Sequence, residues 1–140
     1  MSTPQNLTEP FEQLSYGLGY PQPYPFGIPE ELPRNASSTA LANSLVAFTG
    51  QGRVFGFSVT STKASGQFIQ VFNANTVPAD GAIPLISIDI ATVVAKSYMF
   101  TAAGRWFTIG CVLCNSSTQG SKTIASADCL FDVQYIPQVI

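Results

Sequence analysis

Apolar and polar residues alternate in two runs of the chain, residues 106–114 and 125–135. In the second run every other position from Ala127 to Tyr135 is apolar, and Asp128, Asp132 and Gln134 fall between these positions. A period of two is typical of a strand with one buried face. The polar residues 115–123 between the runs favour a turn. The pattern therefore predicts a β-hairpin at the centre of an antiparallel sheet.

Five earlier strands are predicted, at residues 45–49, 54–60, 67–73, 83–90 and 96–101, although one helical turn would also fit the first of these stretches. Phe55, Phe57 and Val59 would share the buried face of the second of these strands. The third is expected to form a hairpin with it. Because the third strand is apolar on both faces, it is either a central strand buried on both sides or a strand whose second face meets a neighbouring molecule.

Six or seven short strands with almost no helix predict an all-β fold. The architecture expected is an antiparallel β-sandwich of jelly-roll or Greek-key type, with two sheets that bury one core. Residues 35–140 would form this domain, and their number suits a sandwich of immunoglobulin-like size.

Residues 1–34 differ in composition and predict an extended N-terminal arm. Residues 1–33 hold seven of the ten prolines, and all four charged residues among them are acidic. Proline lacks an amide donor and fixes φ, so this stretch favours polyproline-like backbone. A disordered linker is the alternative, but linkers usually have few aromatic residues. The arm is instead predicted to bind a partner through five aromatic anchors: Phe11, Tyr16, Tyr20, Tyr24 and Phe26.

Charge excludes some classes of partner. Charged residues make up 10% of the chain, against roughly 25% in soluble domains, which predicts a surface largely covered by partners. The net charge of −2 gives no basic field for nucleic acid. No apolar run approaches the roughly 20 residues that span a bilayer, and the first residues do not resemble a secretory signal. We therefore expect neither a nucleic-acid nor a membrane partner.

Candidate catalytic and metal-binding groups are scarce. The chain has no histidine, which excludes Ser-His-Asp and Cys-His arrangements. Asp128 and Asp132 would lie about 13 Å apart along one strand, too far for a carboxylate pair in glycoside hydrolysis. Cys111 and Cys114 would face opposite sides of a strand and are expected to be buried apolar residues. The sequence predicts no enzyme activity, no cofactor and no metal site.

Two stretches carry a family resemblance. Residues 67–90 contain QFIQ and VPADGAIP, and residues 103–135 contain GRWFTIGCVLCNSS and DCLFDVQ. Together they resemble small virion proteins of tailed bacteriophages, over residues 53–135, about 60% of the chain. The resemblance implies a non-enzymatic structural component of the phage particle.

The expected function is a capsid decoration or cement protein on the capsid exterior. Its partners would be the major capsid protein or other virion proteins, bound through the arm. The sandwich would form a homo-oligomer, with a trimer favoured, and Ile69 and Val71 on the second face of their strand are the predicted subunit contacts.

The alternative function is an adhesin of a head fibre, tail or portal vertex that binds a glycan or receptor. In this hypothesis Asn115, Ser116 and Gln119 offer hydrogen bonds, and Trp106 offers a stacking ring. Core packing is the commoner role for a tryptophan at the start of a strand.

Overall fold

The computed structural model of the chain describes residues 32–62, 67–90 and 95–138. Within these residues the chain forms nine strands and no helix, so they contain no helical segment that could cross a membrane. The strands are β1 (Arg34–Ser37), β2 (Ser44–Thr49), β3 (Gly52–Ser61), β4 (Gln67–Asn73), β5 (Ile86–Ile90), β6 (Ala95–Met99), β7 (Arg105–Phe107), β8 (Gly110–Ser116) and β9 (Cys129–Pro137). Contacts divide the chain into two units, Met1–Leu32 and Pro33–Ile140, and all nine strands belong to the second.

The strands form two antiparallel sheets, which confirms the all-β, antiparallel prediction. Sheet A has the order β1-β9-β3-β6, and β7 pairs with the part of the β3 edge that lies beyond β6. Sheet B has the order β2-β8-β4-β5. The pairing is nested along the chain: β1 pairs with β9, β2 with β8, β3 with β6 and β7, and β4 with β5.

Both hairpins predicted from the sequence are wrong. β8 lies in sheet B and β9 in sheet A, and β3 and β4 are likewise in different sheets. Alternation identifies an extended strand but does not say which strand lies next to it. The polar residues between β8 and β9 therefore connect one sheet to the other instead of turning within one sheet.

Residues of both sheets contribute to one core cluster. On β9 the predicted face is confirmed, because Cys129, Phe131 and Val133 are buried while Leu130 and Gln134 are exposed. Full burial of such side chains contributes about 1.5–3 kcal/mol each. The buried members of the cluster are Ala47, Phe48, Val54, Phe57, Val59, Ile69, Val71, Ile90, Phe107, Cys111, Leu113, Cys129, Phe131 and Val133.

A β-bulge in β3 changes which of its residues face the core. The register with β9 shifts between Val54 and Gly56, which leaves Phe55 as an extra residue. Val54 is fully buried in the core cluster, whereas Phe55 is half-buried outside it. The prediction that Phe55 shares a buried face with Phe57 and Val59 is therefore wrong at that position, because it assumed an unbroken period of two.

Sheet B is also covered on the side away from the core cluster. Phe72, Val112 and Cys114 form a second buried cluster there, against which Ala74 and Ala82 pack. The covering segments are residues 74–82 and 117–124, which we call the lid. They explain why every residue of β8 is buried, on both faces of the strand.

Polar contacts hold the lid to sheet B. The Lys122 ammonium, on a side chain only 4% exposed, contacts the Asp80 carboxylate at 2.7 Å and so joins the two lid segments. The Ile124 backbone N–H also donates to Asp80 Oδ1. The buried Gln70 amide of β4 fixes the second segment, since its Nε2 donates to the carbonyl oxygens of Thr118, Gln119 and Ser121.

We expect Asp80→Asn to destabilise the protein at pH 7, because it leaves the buried Lys122 ammonium without its carboxylate. The hydrogen bond from Lys122, with that from the Ile124 N–H, holds the pKa of the Asp80 carboxyl below its ordinary value of 3.8. Such a group contributes stability above its unfolded pKa and loses it as the pH falls through the lowered folded pKa. Urea unfolding should separate wild type from Asp80→Asn at pH 7, and the two should converge as the pH falls well below 4.

The control for this comparison is Asp89→Asn, which changes an exposed carboxylate on β5. It should follow the wild type at pH 7. A deficit of Asp80→Asn that kept its full size in acid would contradict the role given to the Asp80 charge.

Candidate functional site on the outer face of sheet A

The side chains of sheet A that alternate with its core residues form an outer face, which strand pairing arranges in rows. The polar row is Ser37, Asp132, Ser58 and Ser97; the middle row is Asn35, Gln134, Gly56 and Met99; the tryptophan row is Ile136, Arg53 and Trp106. Seven of these eleven residues are exposed. Sheet B differs, since the lid covers the corresponding side of its strands.

Asp132 is the only acidic residue in the three rows, and two side chains of β1 orient it. Asn35 Nδ2 and Ser37 Oγ both donate to Asp132 Oδ1, at 3.0 Å and 2.6 Å. Its Oδ2 accepts no hydrogen bond from the residues that the structure describes. The carboxylate is thus held in place with one oxygen available to a ligand.

A surface groove of about 130 Å³ lies between the polar and middle rows. Its lining residues are Gly56, Phe57, Ser58, Ser97, Met99, Asp132 and Gln134. Gly56 has a steric role, because a Cβ there would lie 2.8 Å from the Met99 sulfur and 2.9 Å from the Tyr98 carbonyl oxygen. Gly56 thus allows Met99 to pack closely and form the apolar wall of the groove, while the small Ser58 and Ser97 line the rest of it.

The tryptophan row places an aromatic ring beside a fixed guanidinium. Trp106 is 44% exposed and pairs with Arg53 across β7 and β3. Arg53 donates to the Ala103 carbonyl oxygen at 3.2 Å and lies 5.6 Å from the centre of the Phe55 ring, a cation–π contact. Tryptophan and arginine are the residue types most enriched at energetically important interface positions. Core packing, the commoner role for Trp106, is not what the structure shows.

The predicted subunit contacts at Ile69 and Val71 are wrong. Both side chains are 0% exposed and belong to the core cluster. β4 has sheet neighbours on both edges, and the lid covers its other face. Of the two alternatives for an apolar strand, the central strand buried on both sides is the one found, so these residues have no surface for another subunit.

The predicted arm anchors Phe11, Tyr16, Tyr20, Tyr24 and Phe26 lie outside the described residues, so their partner-binding role stays a prediction. The polar loop residues of the adhesin hypothesis are described, and the structure separates them. Asn115 and Ser116 are fully buried, and only Gln119 is exposed. Asn115 is occupied inside the protein, where its Nδ2 donates to Gln67 Oε1 and to the Ser126 carbonyl oxygen.

The cysteines occupy the positions expected from strand geometry. Cys111 belongs to the core cluster and Cys114 to the lid cluster, on opposite faces of β8. Burial raises the pKa of the Cys111 thiol to about 12 and that of Cys114 to about 11. Within residues 32–62, 67–90 and 95–138 no three acidic or cysteine side chains are grouped so as to hold a metal ion.

Sequence alternation placed Asp132 and Gln134 on the polar side of their strand, but it suggested Asp132 only as a carboxylate pair with Asp128 and gave no reason to single out Gln134. The groove arises from the pairing of β9 with β1 and β3, and from the β3 bulge, neither of which the local pattern reveals. The chain matches no protein-family model, no curated protein and no solved structure.

Proposed function

We propose that this protein is a non-enzymatic structural component of a bacteriophage virion, a decoration protein on the capsid exterior. The motifs in residues 67–90 and 103–135 support the virion assignment by resemblance. The observation that carries a partner-binding role is the exposed pair of Trp106 and Arg53 on the outer face of sheet A. Tryptophan and arginine are enriched at protein interfaces relative to the rest of the protein surface, which favours a binding role for this pair.

The finer architecture in this proposal is a β-sandwich of jelly-roll type. The nested pairing supports it, because in a jelly roll the chain doubles back on itself so that its first strand pairs with its last. If β6 and β7 count as one interrupted strand, this chain has eight strands in two sheets of four. Jelly rolls occur in viral capsid and lectin domains. A fold alone does not fix a function, so the surface residues carry the argument.

Two further parts of the proposal concern assembly. Residues 1–34 attach the protein to the major capsid protein or another virion protein through their aromatic residues. The outer face of sheet A adds a second contact, which includes Trp106 on the short strand β7. A trimer remains the favoured oligomer, and its subunit contacts must come from exposed residues, since Ile69 and Val71 are buried.

Cosedimentation with purified phage heads that lack the protein tests this function. The full-length chain should bind the heads, and Trp106→Ala should weaken binding roughly thirtyfold, as expected for an interface residue worth about 2 kcal/mol. Ile109→Ala is the matched control, because Ile109 is similarly exposed, at 48%, but lies outside the three rows. A double variant, Tyr20→Ala with Tyr24→Ala, tests the arm in the same assay.

The outcomes separate the parts of the proposal. Heads that bind no wild-type protein would overturn the decoration function. If the tyrosine variant alone failed to bind, attachment would depend on the arm and the contact assigned to Trp106 would be wrong. Equal weakening by Trp106→Ala and Ile109→Ala would also argue against a specific contact at the tryptophan row.

A further inference from the structure

The groove between the polar and middle rows is lined by polar groups that have no role in the proposed attachment to a capsid protein. Its polar lining consists of one oriented carboxylate, Asp132, the hydroxyls of Ser58 and Ser97, and the amide of Gln134. We propose that this groove binds a neutral glycan, a function beyond that of a decoration protein.

The groups match a ligand rich in hydroxyls, which both donate and accept hydrogen bonds. Asp132 Oδ2 accepts, while the serine hydroxyls and the Gln134 amide can each do both. Ser97, Ser58 and Asp132 lie on three adjacent strands in register, and neighbouring strands are roughly 4.8 Å apart. Alternate hydroxyls of a sugar ring, which are separated by about this distance, can therefore meet successive side chains when the ring lies across the strands.

The position of Asp132 is fixed before any ligand binds. Its other oxygen, Oδ1, already accepts from Asn35 and Ser37, so the carboxylate does not have to be ordered on binding. Pre-organisation of this kind lowers the entropy cost of association. A hydrogen bond to a charged acceptor is also among the stronger polar contacts.

Other ligand classes fit the groove less well. No cation is among its lining residues, and the Asp132 charge repels phosphate and sulfate groups. Met99 is the main apolar side chain at the surface of the groove, and this is too little apolar surface to bind an apolar molecule.

The size of the groove limits the length of glycan that it can hold. A volume of about 130 Å³ suits one sugar ring of an oligosaccharide that extends along the outer face. Such a small contact gives weak affinity, on the order of millimolar, which many copies on one particle would raise by avidity.

An array of neutral oligosaccharides probed with full-length protein is the first test, followed by NMR titration with the strongest ligand. We expect shifts at Ser58, Ser97 and Gln134. Asp132→Asn should weaken binding roughly ten- to hundredfold through loss of a charged acceptor. The matched control is Asp89→Asn, which removes the same charge from an exposed site on sheet B and should bind as wild type does.

Three results would overturn the proposal: no neutral oligosaccharide binding at millimolar concentration, equal binding by wild type and Asp132→Asn, or binding only of amine-bearing sugars. The last result would identify an ammonium group as the partner of Asp132. If Asp132→Asn failed to fold, Ser97→Ala on the exposed edge strand would replace it, with several-fold weaker binding expected. Binding to phage heads is measured in a different assay, cosedimentation with Trp106→Ala. Failure of the glycan site and failure of the decoration function are therefore separate outcomes.

Discussion

Phe131→Ala is expected to lower the free energy of unfolding by about 3–5 kcal/mol. Phe131 is 2% exposed and lies on β9, the central strand that joins β1 to β3 in sheet A. Its truncation removes apolar contacts and leaves a cavity between the sheets, since the surrounding strands are held by their ladders and relax only in part. Urea unfolding monitored by Trp106 fluorescence would measure the loss.

Leu130→Ala is the matched control for Phe131. Leu130 is the preceding residue of β9, but it is 40% exposed on the opposite face. Its truncation should change the free energy of unfolding by about 0.5 kcal/mol, as for most surface positions. If Phe131→Ala were too unstable to measure, Phe131→Leu would provide a smaller step in the same direction. Similar losses for both alanine variants would contradict the face assigned to β9.

Gly110→Ala is expected to cost about 2–3 kcal/mol by overpacking. A Cβ at Gly110 would lie 2.5 Å from the Ala74 carbonyl oxygen and 2.8 Å from that of Phe48. Both neighbours are backbone atoms, so no side chain can rotate away. The Gly110 position also lies where β2 pairs with β8 and where the Ala74 N–H donates to the Gly110 carbonyl oxygen. The strain would therefore be shared by sheet B and the start of the lid.

Gly120→Ala provides the comparison for Gly110. Nothing lies within 4 Å of a Cβ at Gly120, an exposed lid position. Thermal unfolding of this variant should match the wild type within about 0.5 kcal/mol. A well-tolerated Gly110→Ala would mean that β8 and the lid do not approach as closely as the structure shows.

Most strand positions were predictable from the sequence, because a half-buried strand imposes a period of two on its own residues. The exceptions are β1, which was not predicted, and the run at residues 106–114, which divides between β7 in sheet A and β8 in sheet B. The alternation around Phe131 predicted β9 and its buried face, and the run at residues 67–73 predicted β4. Pairing partners were not predictable in this way. Every strand except β5 pairs with a strand that does not adjoin it in the chain, and an alternating pattern is the same whichever strand lies beside it.

The remaining differences concern individual positions. The bulge at Phe55 inserts one residue into β3, and nothing in the alternation signals it. Burial of Asn115 depends on acceptors from β4, 48 residues away, and from the β8–β9 connection, 11 residues away. The two lid segments are joined over sheet B by the contact of Lys122 with Asp80, 42 residues apart.

The sequence predicts some of the residue types in the candidate site but not where these residues meet in the fold. Trp106, the candidate stacking ring, is exposed, whereas Asn115 and Ser116 are buried and Gln119 alone of the three loop residues is exposed. The groove beside Asp132 collects residues from β3, β6 and β9, with β1 orienting the carboxylate. Its existence depends on the order of strands in sheet A, which no single stretch of sequence encodes.

The nested pairing of strands also has a consequence for synthesis of the protein on the ribosome. β1 has its sheet partner in β9, and the contact between Asn35 and Asp132 spans 97 residues. At translation rates of about 5–20 residues per second, β1 waits roughly 5–20 s before β9 exists. During that time β3 lacks the neighbour that lies between it and β1, so the apolar faces of the nascent strands are unshielded. Sheet A is thus completed only after β9 has emerged, and until then its unpaired strand edges and apolar side chains are open to aggregation.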